Sequence, residues 1–130
     1  MNSFTLDTSA YSAFNRGDTR LKDWFNPNVD IIVPSIVVGE LRAGFAAGSK
    51  SKENEDMLQR FLDSTNVFVE TISDTTTKIY SQIYLALRQK GKPVGTNDMW
   101  IAAIALQQDN ELLTLDAGFE HIPDLMIAKV

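Results

Sequence analysis

The chain has no cysteine and a single histidine, His121, among its 130 residues. These two shortages exclude a disulfide framework, a thiol nucleophile, a zinc site of the usual Cys/His kind and paired-imidazole acid–base chemistry. Long apolar runs are missing too: no stretch approaches the ~18 residues that a membrane span needs. The opening MNSFTLDTSAY lacks the basic and apolar regions of a signal peptide, so a cytoplasmic protein with no membrane partner is expected. Basic charge is in deficit, 12 Lys and Arg against 17 Asp and Glu for a net charge of −5, which argues against indiscriminate nucleic-acid binding. No internal repeat, low-complexity segment or linker interrupts the chain. One domain over residues 1–130 is expected, with a core large enough to need no staples.

What the chain does have is an alternation of strand and helix signals. Phe4-Thr5-Leu6 is short and apolar at alternate positions, and the helix-capping types Asp7, Thr8 and Ser9 follow at once, so a strand should feed a helix near Tyr11 to Asn15. A short helix with Leu21, Trp24 and Phe25 on one face should end at Asn26-Pro27-Asn28, and Ile31-Ile32-Val33 should be a buried strand. Pro34-Ser35 opens a helix to about Gly48, a polar junction runs over Gly48 to Lys52, and Met57, Leu58, Phe61 and Leu62 recur at helical spacing. Val67-Phe68-Val69 reads as a third strand, followed by a helix carrying Ile79, Ile83 and Leu87 that stops at Gly91-Lys92-Pro93. Gly95-Thr96-Asn97-Asp98 launches a helix with little polar face, which belongs inside, with Thr96 and Asn97 competing to cap it. Leu112 to Leu115 should be a fourth strand ending at Asp116, and Leu125 to Ala128 a candidate fifth. Such alternation predicts an α/β fold with a parallel sheet of four to five strands covered on both faces, and an active crevice beyond the strands' carboxyl ends.

Four carboxylates stand where that crevice should lie. Asp7 and Asp116 follow strands, Asp98 sits in the first turn of the buried helix, and Glu40 falls on the helical arc of Ile36, Val37, Gly44 and Ala47. Each has a bland reading: Asp7 as an N-cap, Asp98 as a favourable charge at a helix start, Asp116 as a turn residue, Glu40 as a boundary residue paired with a lysine. Their joint placement carries the inference. Two charges about 5 Å apart at an effective dielectric of about 20 repel by roughly 3 kcal/mol, so four together require hard cations, and oxygen ligands favour Mg²⁺ or Mn²⁺. Asp7 and Asp98 are the favoured direct ligands, with Glu40 and Asp116 completing the shell or holding water around it. Thr8 and Ser9 are further caps or hydroxyls that orient the carboxylates. Setting the four acids aside leaves the rest of the chain near neutral, so a phosphate could approach. Phosphate tracking would fall to Arg42, Lys50 and Lys52 or to Arg88, Lys90 and Lys92, each group equally readable as a solvated face.

With those residues in hand, the chain resembles PIN-domain proteins, and among them the VapC toxins of type II toxin–antitoxin pairs. The likeness rests on Leu6-Asp7-Thr8-Ser9, Val38-Gly39-Glu40-Leu41, Gly95-Thr96-Asn97-Asp98 through Ile101-Ala102-Ala103, and Leu113-Thr114-Leu115-Asp116 with Phe119. It spans essentially the whole chain in the right order. It implies a three-layer α/β/α fold and a Mg²⁺-dependent endoribonuclease, Mn²⁺ substituting, with Asp7, Glu40, Asp98 and Asp116 as the acidic quartet. Thr8, Asn97 and Thr114 match the polar neighbours of that quartet. A homodimer, an RNA substrate such as tRNA or rRNA, and a cognate VapB-like antitoxin that covers the site are implied as well. Competing readings are a PIN-domain nuclease of RNA processing, a non-catalytic PIN-like binding module, and, less well matched, a phosphorylated receiver domain, which lacks a phosphoacceptor aspartate after Val67-Phe68-Val69.

Overall fold

The computed structural model describes residues 2–130. Four parallel strands, β1 (Ser3–Leu6), β2 (Asp30–Pro34), β3 (Val67–Glu70) and β4 (Glu111–Leu113), form one sheet in the order β3-β2-β1-β4. The β-branched run Ile31-Ile32-Val33 takes the inner position of β2 that an apolar run demands, and Phe4, Leu6, Leu112 and Leu113 are fully buried beside it. Five helices follow the strand signals: α1 (Thr8–Asn15), α2 (Ser35–Ala47), α3 (Ser51–Leu62), α4 (Asp74–Lys90) and α5 (Thr96–Gln108). The chain passes from β1 to β2 on one side and returns to place β4 on the other side of β1. Strand order therefore reverses between β1 and β4, and the crevice at their carboxyl ends is where an open α/β sheet leaves room for a ligand.

α5 buries Met99, Ile101, Ala102, Ala103, Ile104 and Ala105, as its lack of a polar face predicts. Its alanines let the helix pack closely on the sheet, while Trp100 stacks on Tyr80 of α4 with ring centroids 3.8 Å apart. Ile101 and Ile104 have no exposed surface. Ile104→Ala should cost about 2–5 kcal/mol of stability through a cavity the sheet cannot fill, a loss readable in urea unfolding. On the sheet's other flank Phe14 and Phe25 stack at 3.9 Å and Phe4 meets Trp24 edge-on at 5.4 Å.

Several expectations need correction. The segment around Leu21 and Trp24 is a 3-10 turn, Thr19–Trp24, because Asn26-Pro27 lies too near for a regular helix to develop. The strand at Leu112 stops at Leu113, and Asp116 instead starts a 3-10 turn, Ala117–His121. The candidate fifth strand is a single parallel bridge between Leu112 and Ile127. α3 begins within the polar junction, at Ser51. α5 is capped by the backbone of Gly95 with no side-chain bond, so neither Thr96 nor Asn97 serves as its cap. The helical arc of Glu40 is not uniformly buried, for Val37 is buried while Gly44 and Ala47 are exposed.

Candidate active site

Asp7 follows β1 directly and is only 4% exposed. It occupies the N-cap position of α1, yet its side chain makes no capping bond. Both hydroxyls that reach it land on one oxygen: Thr114 Oγ1 donates to Oδ2 at 2.7 Å and Ser9 Oγ at 2.8 Å. Each hydroxyl has one proton to give, and with both directed at Asp7 the two oxygens are free to accept. Ser9 Oγ accepts from the Leu115 N–H at 3.0 Å and Thr114 Oγ1 from the Asp116 N–H at 3.0 Å. The Asp7 N–H in turn donates to the Leu113 carbonyl at 3.0 Å. The start of α1 and the loop after β4, more than a hundred residues apart, are thereby locked together at the reversal point of the sheet. Burial pushes the Asp7 carboxyl up, and the Thr114 and Ser9 hydroxyls pull it back toward ionisation.

Glu40 approaches from α2. Its Oε1 accepts from Thr8 Oγ1 at 2.6 Å and its Oε2 from Asn97 Nδ2 at 3.3 Å, so the carboxylate bridges the first turns of α1 and α5. A lysine partner is absent: among the described residues Glu40 enters no ion pair. Asp98 stands one residue beyond Asn97, half-buried, and its pKa rises to about 6. Desolvation is the largest cause, followed by the negative charges of Asp7, Asp116 and Glu40. The hydrogen bonds of Glu40 to Thr8 and Asn97, and of Asp7 to Thr114 beside the Asp116 backbone, bring the segments that carry all four acids to one end of the sheet. Asp116 is the most open, its Oδ1 holding the Gly118 N–H at 2.9 Å. A shallow hollow of about 370 Å³ is lined by Glu40, Gly95, Thr96, Asn97 and Asp98. Among the described residues, no three His, Cys, Asp or Glu side chains are close enough to ligate one ion as they stand.

The sequence pairs this folded site with relatives of recorded chemistry. The PIN domain family model matches residues 4–125. The ribonuclease VapC2 of Rickettsia felis is 32% identical over 101 residues, covering 77% of this chain and 74% of its own length. The chain belongs to the PIN-domain family and to the VapC proteins within it. Two solved VapBC assemblies repeat its whole fold. One chain of VapBC2 from Rickettsia felis, bound to a promoter DNA fragment, superposes with a TM-score of 0.83 at 28% identity over 97% of both chains. DNA-bound VapBC from Salmonella typhimurium gives 0.86 at 26% identity over 98% of both. The three-layer PIN architecture with its central parallel sheet is therefore the fold of this chain, and the receiver alternative is overturned.

Among the polar neighbours that the sequence singles out, Thr8 and Asn97 hold Glu40, and Thr114 holds Asp7. Ser9 takes as full a part as Thr114, although its position beside Asp7 is equally that of a helix cap and the sequence could not separate the two. The cations fall into two kinds. Arg42 is engaged by Glu55 at 2.9 Å and by Gln59, and Lys52 pairs with Asp56 at 3.3 Å, while Lys50 opens α3. Arg88 reaches the Tyr84 hydroxyl at 3.4 Å and Lys90 the His121 carbonyl at 3.0 Å, and Lys92 lies exposed just past the end of α4. His121 contributes its backbone rather than its ring.

Proposed function

We propose that this VapC-family chain is a Mg²⁺- or Mn²⁺-dependent endoribonuclease and the toxin of a toxin–antitoxin pair. The observation that carries the reading is the hydrogen-bond network that draws the acid-bearing segments together: Thr8 and Asn97, the latter next to Asp98, hold Glu40, and Thr114, which accepts from the Asp116 N–H, holds Asp7. A concentration of negative charge of this kind is unfavourable unless a cation or a basic group relieves it. The donor set consists of oxygen only, which suits a hard cation. Mg²⁺ keeps several waters and needs few carboxylates, so the open spacing of the acids fits an ion held directly by Asp7 and Asp98, with Glu40 and Asp116 holding water around it. When bound, such an ion acidifies water and neutralises charge on the phosphate and the departing 3′ oxygen. The chain's own part is to keep Asp7 ionised through Ser9 and Thr114, to fix Glu40 through Thr8 and Asn97, and to admit the phosphodiester from the exposed Asp116 side. Arg88, Lys90 and Lys92 fit phosphate tracking better than Arg42 and Lys52, whose charges are spent on Glu55 and Asp56.

Partners follow from the same geometry and from the relatives. A VapB-like antitoxin would present a basic side chain to the acidic hollow, since a guanidinium fork matches carboxylates. A homodimer in the cytoplasm is part of this proposal, as is a single domain over 1–130; no helix among the described residues is long and apolar enough to cross a membrane. Purified protein is expected to cut structured RNA with Mg²⁺ or Mn²⁺, leaving 5′-phosphate and 3′-hydroxyl ends, and to stop with chelator. Cleavage that continues in chelator would remove metal from the account. One observation favours a second reading: because no three acids among the described residues stand in ligating geometry, a PIN module that binds without cutting is the alternative. Metal titration of the folded protein separates the two.

A further inference from the structure

We propose that the groove between the end of α4 and the start of α5 binds an unpaired RNA base next to the phosphate that is cut; this rests on the ribonuclease reading above. The groove encloses about 430 Å³ and is lined by Tyr84, Leu87, Arg88, Lys92, Val94 and Met99 among others, a size that suits a small planar ligand. Its floor is apolar: Leu87 and Met99 are almost fully buried. Tyr84 stands at its edge with half of its surface exposed, tied to Arg88 through its hydroxyl. An aromatic side chain over an apolar floor is the platform on which nucleic-acid bases stack without regard to sequence, and cations at the rim take the flanking phosphates. Arg88, Lys90 and Lys92 enter no ion pair among the described residues, whereas Arg20, Arg42, Lys52 and Lys78 each do. Arg88 and Lys92 therefore place unpaired positive charge in the lining of an apolar groove, a combination complementary to a base with its phosphate and not to an aliphatic segment.

The groove also adjoins the acidic hollow. Val94 and Met99 line the first, and their chain neighbours Gly95 and Asp98 line the second. One turn of α5 and the loop before it therefore form the wall between the two cavities. A strand with its scissile phosphate at Asp98 can drop the adjoining base over Tyr84, provided that base is not held in a pair. The ligand so defined is one unpaired base together with the phosphate beside it.

Steady-state cleavage of a hairpin RNA by the intact protein and by Tyr84→Ala, Tyr84→Phe and Lys92→Glu tests this. Tyr84→Ala should raise KM about tenfold with kcat held within about twofold, and Tyr84→Phe should restore KM because the ring does the binding. Lys92→Glu should raise KM and flatten its dependence on salt. Unchanged KM in Tyr84→Ala and Lys92→Glu, with cleavage intact in the unaltered protein, overturns the base site alone. Absence of any RNA cleavage by the unaltered protein overturns the ribonuclease reading and the base site with it. Sedimentation of the same variants covers the remaining occupant: a shift from dimer to monomer in Tyr84→Ala would assign the groove to a second copy of the chain and overturn the proposal.

Discussion

Asp98→Asn is expected to lower RNA cleavage by on the order of a thousandfold and, at neutral pH, to make the protein more stable. The two effects share one cause. Burial, and after it the charges of Asp7, Asp116 and Glu40, raise the Asp98 carboxyl to about 6 in the folded chain from an ordinary 3.8. Between those values the folded state keeps a proton that the unfolded chain has lost. Stability that is fully present below about pH 4 is therefore lost as pH rises through about 6, and asparagine removes the loss while keeping the shape. Melting temperatures of the two proteins should converge near about pH 4 and separate in favour of Asp98→Asn near about pH 7. Persistent cutting by the variant would detach Asp98 from the chemistry. Lost cutting together with lost helical circular dichroism would mean that the residue is needed for the fold instead.

How much of this was open to sequence reasoning depends on the range of the interaction concerned. Period and punctuation placed β1, β2 and β3 and the five helices, because each signal, such as the β-branched run Ile31-Ile32-Val33 or the Gly91-Lys92-Pro93 stop, acts within a few residues. The end of β4 was misplaced since Leu112-Leu113-Thr114-Leu115 keeps strand-forming residue types beyond the sheet; the strand stops where its register on β1 ends, at the Leu6–Leu113 pair. The candidate fifth strand shrank to a bridge because β4 is only three residues long and offers little edge to pair with. At the site, the four acids were nameable from their places after strands and at helix starts. Their polar partners were nameable too, but not who holds whom: Thr114 bonding Asp7, and Asn97 bonding Glu40, are contacts across 107 and 57 residues that no local pattern encodes. The same limit hid the pairing of Arg42 with Glu55, which changes which basic cluster remains free.

Saturating Mg²⁺ or Mn²⁺ is expected to raise the melting temperature of the chain by on the order of 10 °C, and chelator to reverse it. Ligand at about a hundred times its dissociation constant contributes about 2.7 kcal/mol to a folded state that alone binds it. For a domain of this size each kcal/mol moves the midpoint by a few degrees. The gathered acids make the unliganded state the unfavourable reference, so the ion relieves repulsion that folding itself creates. Because Asp98 holds its proton up to about pH 6, metal must displace that proton below this point, and the metal-induced shift should shrink as pH falls through 6 toward 4. Asp98→Asn should shrink it at every pH, whereas Ser9→Ala should shrink it less, since Thr114 still donates to Asp7. A melting curve that ignores both ions while the protein is fully folded would leave a PIN module that binds without cutting, with its acids kept for a basic partner. A shift that survives Asp98→Asn intact would place the ion elsewhere on the chain.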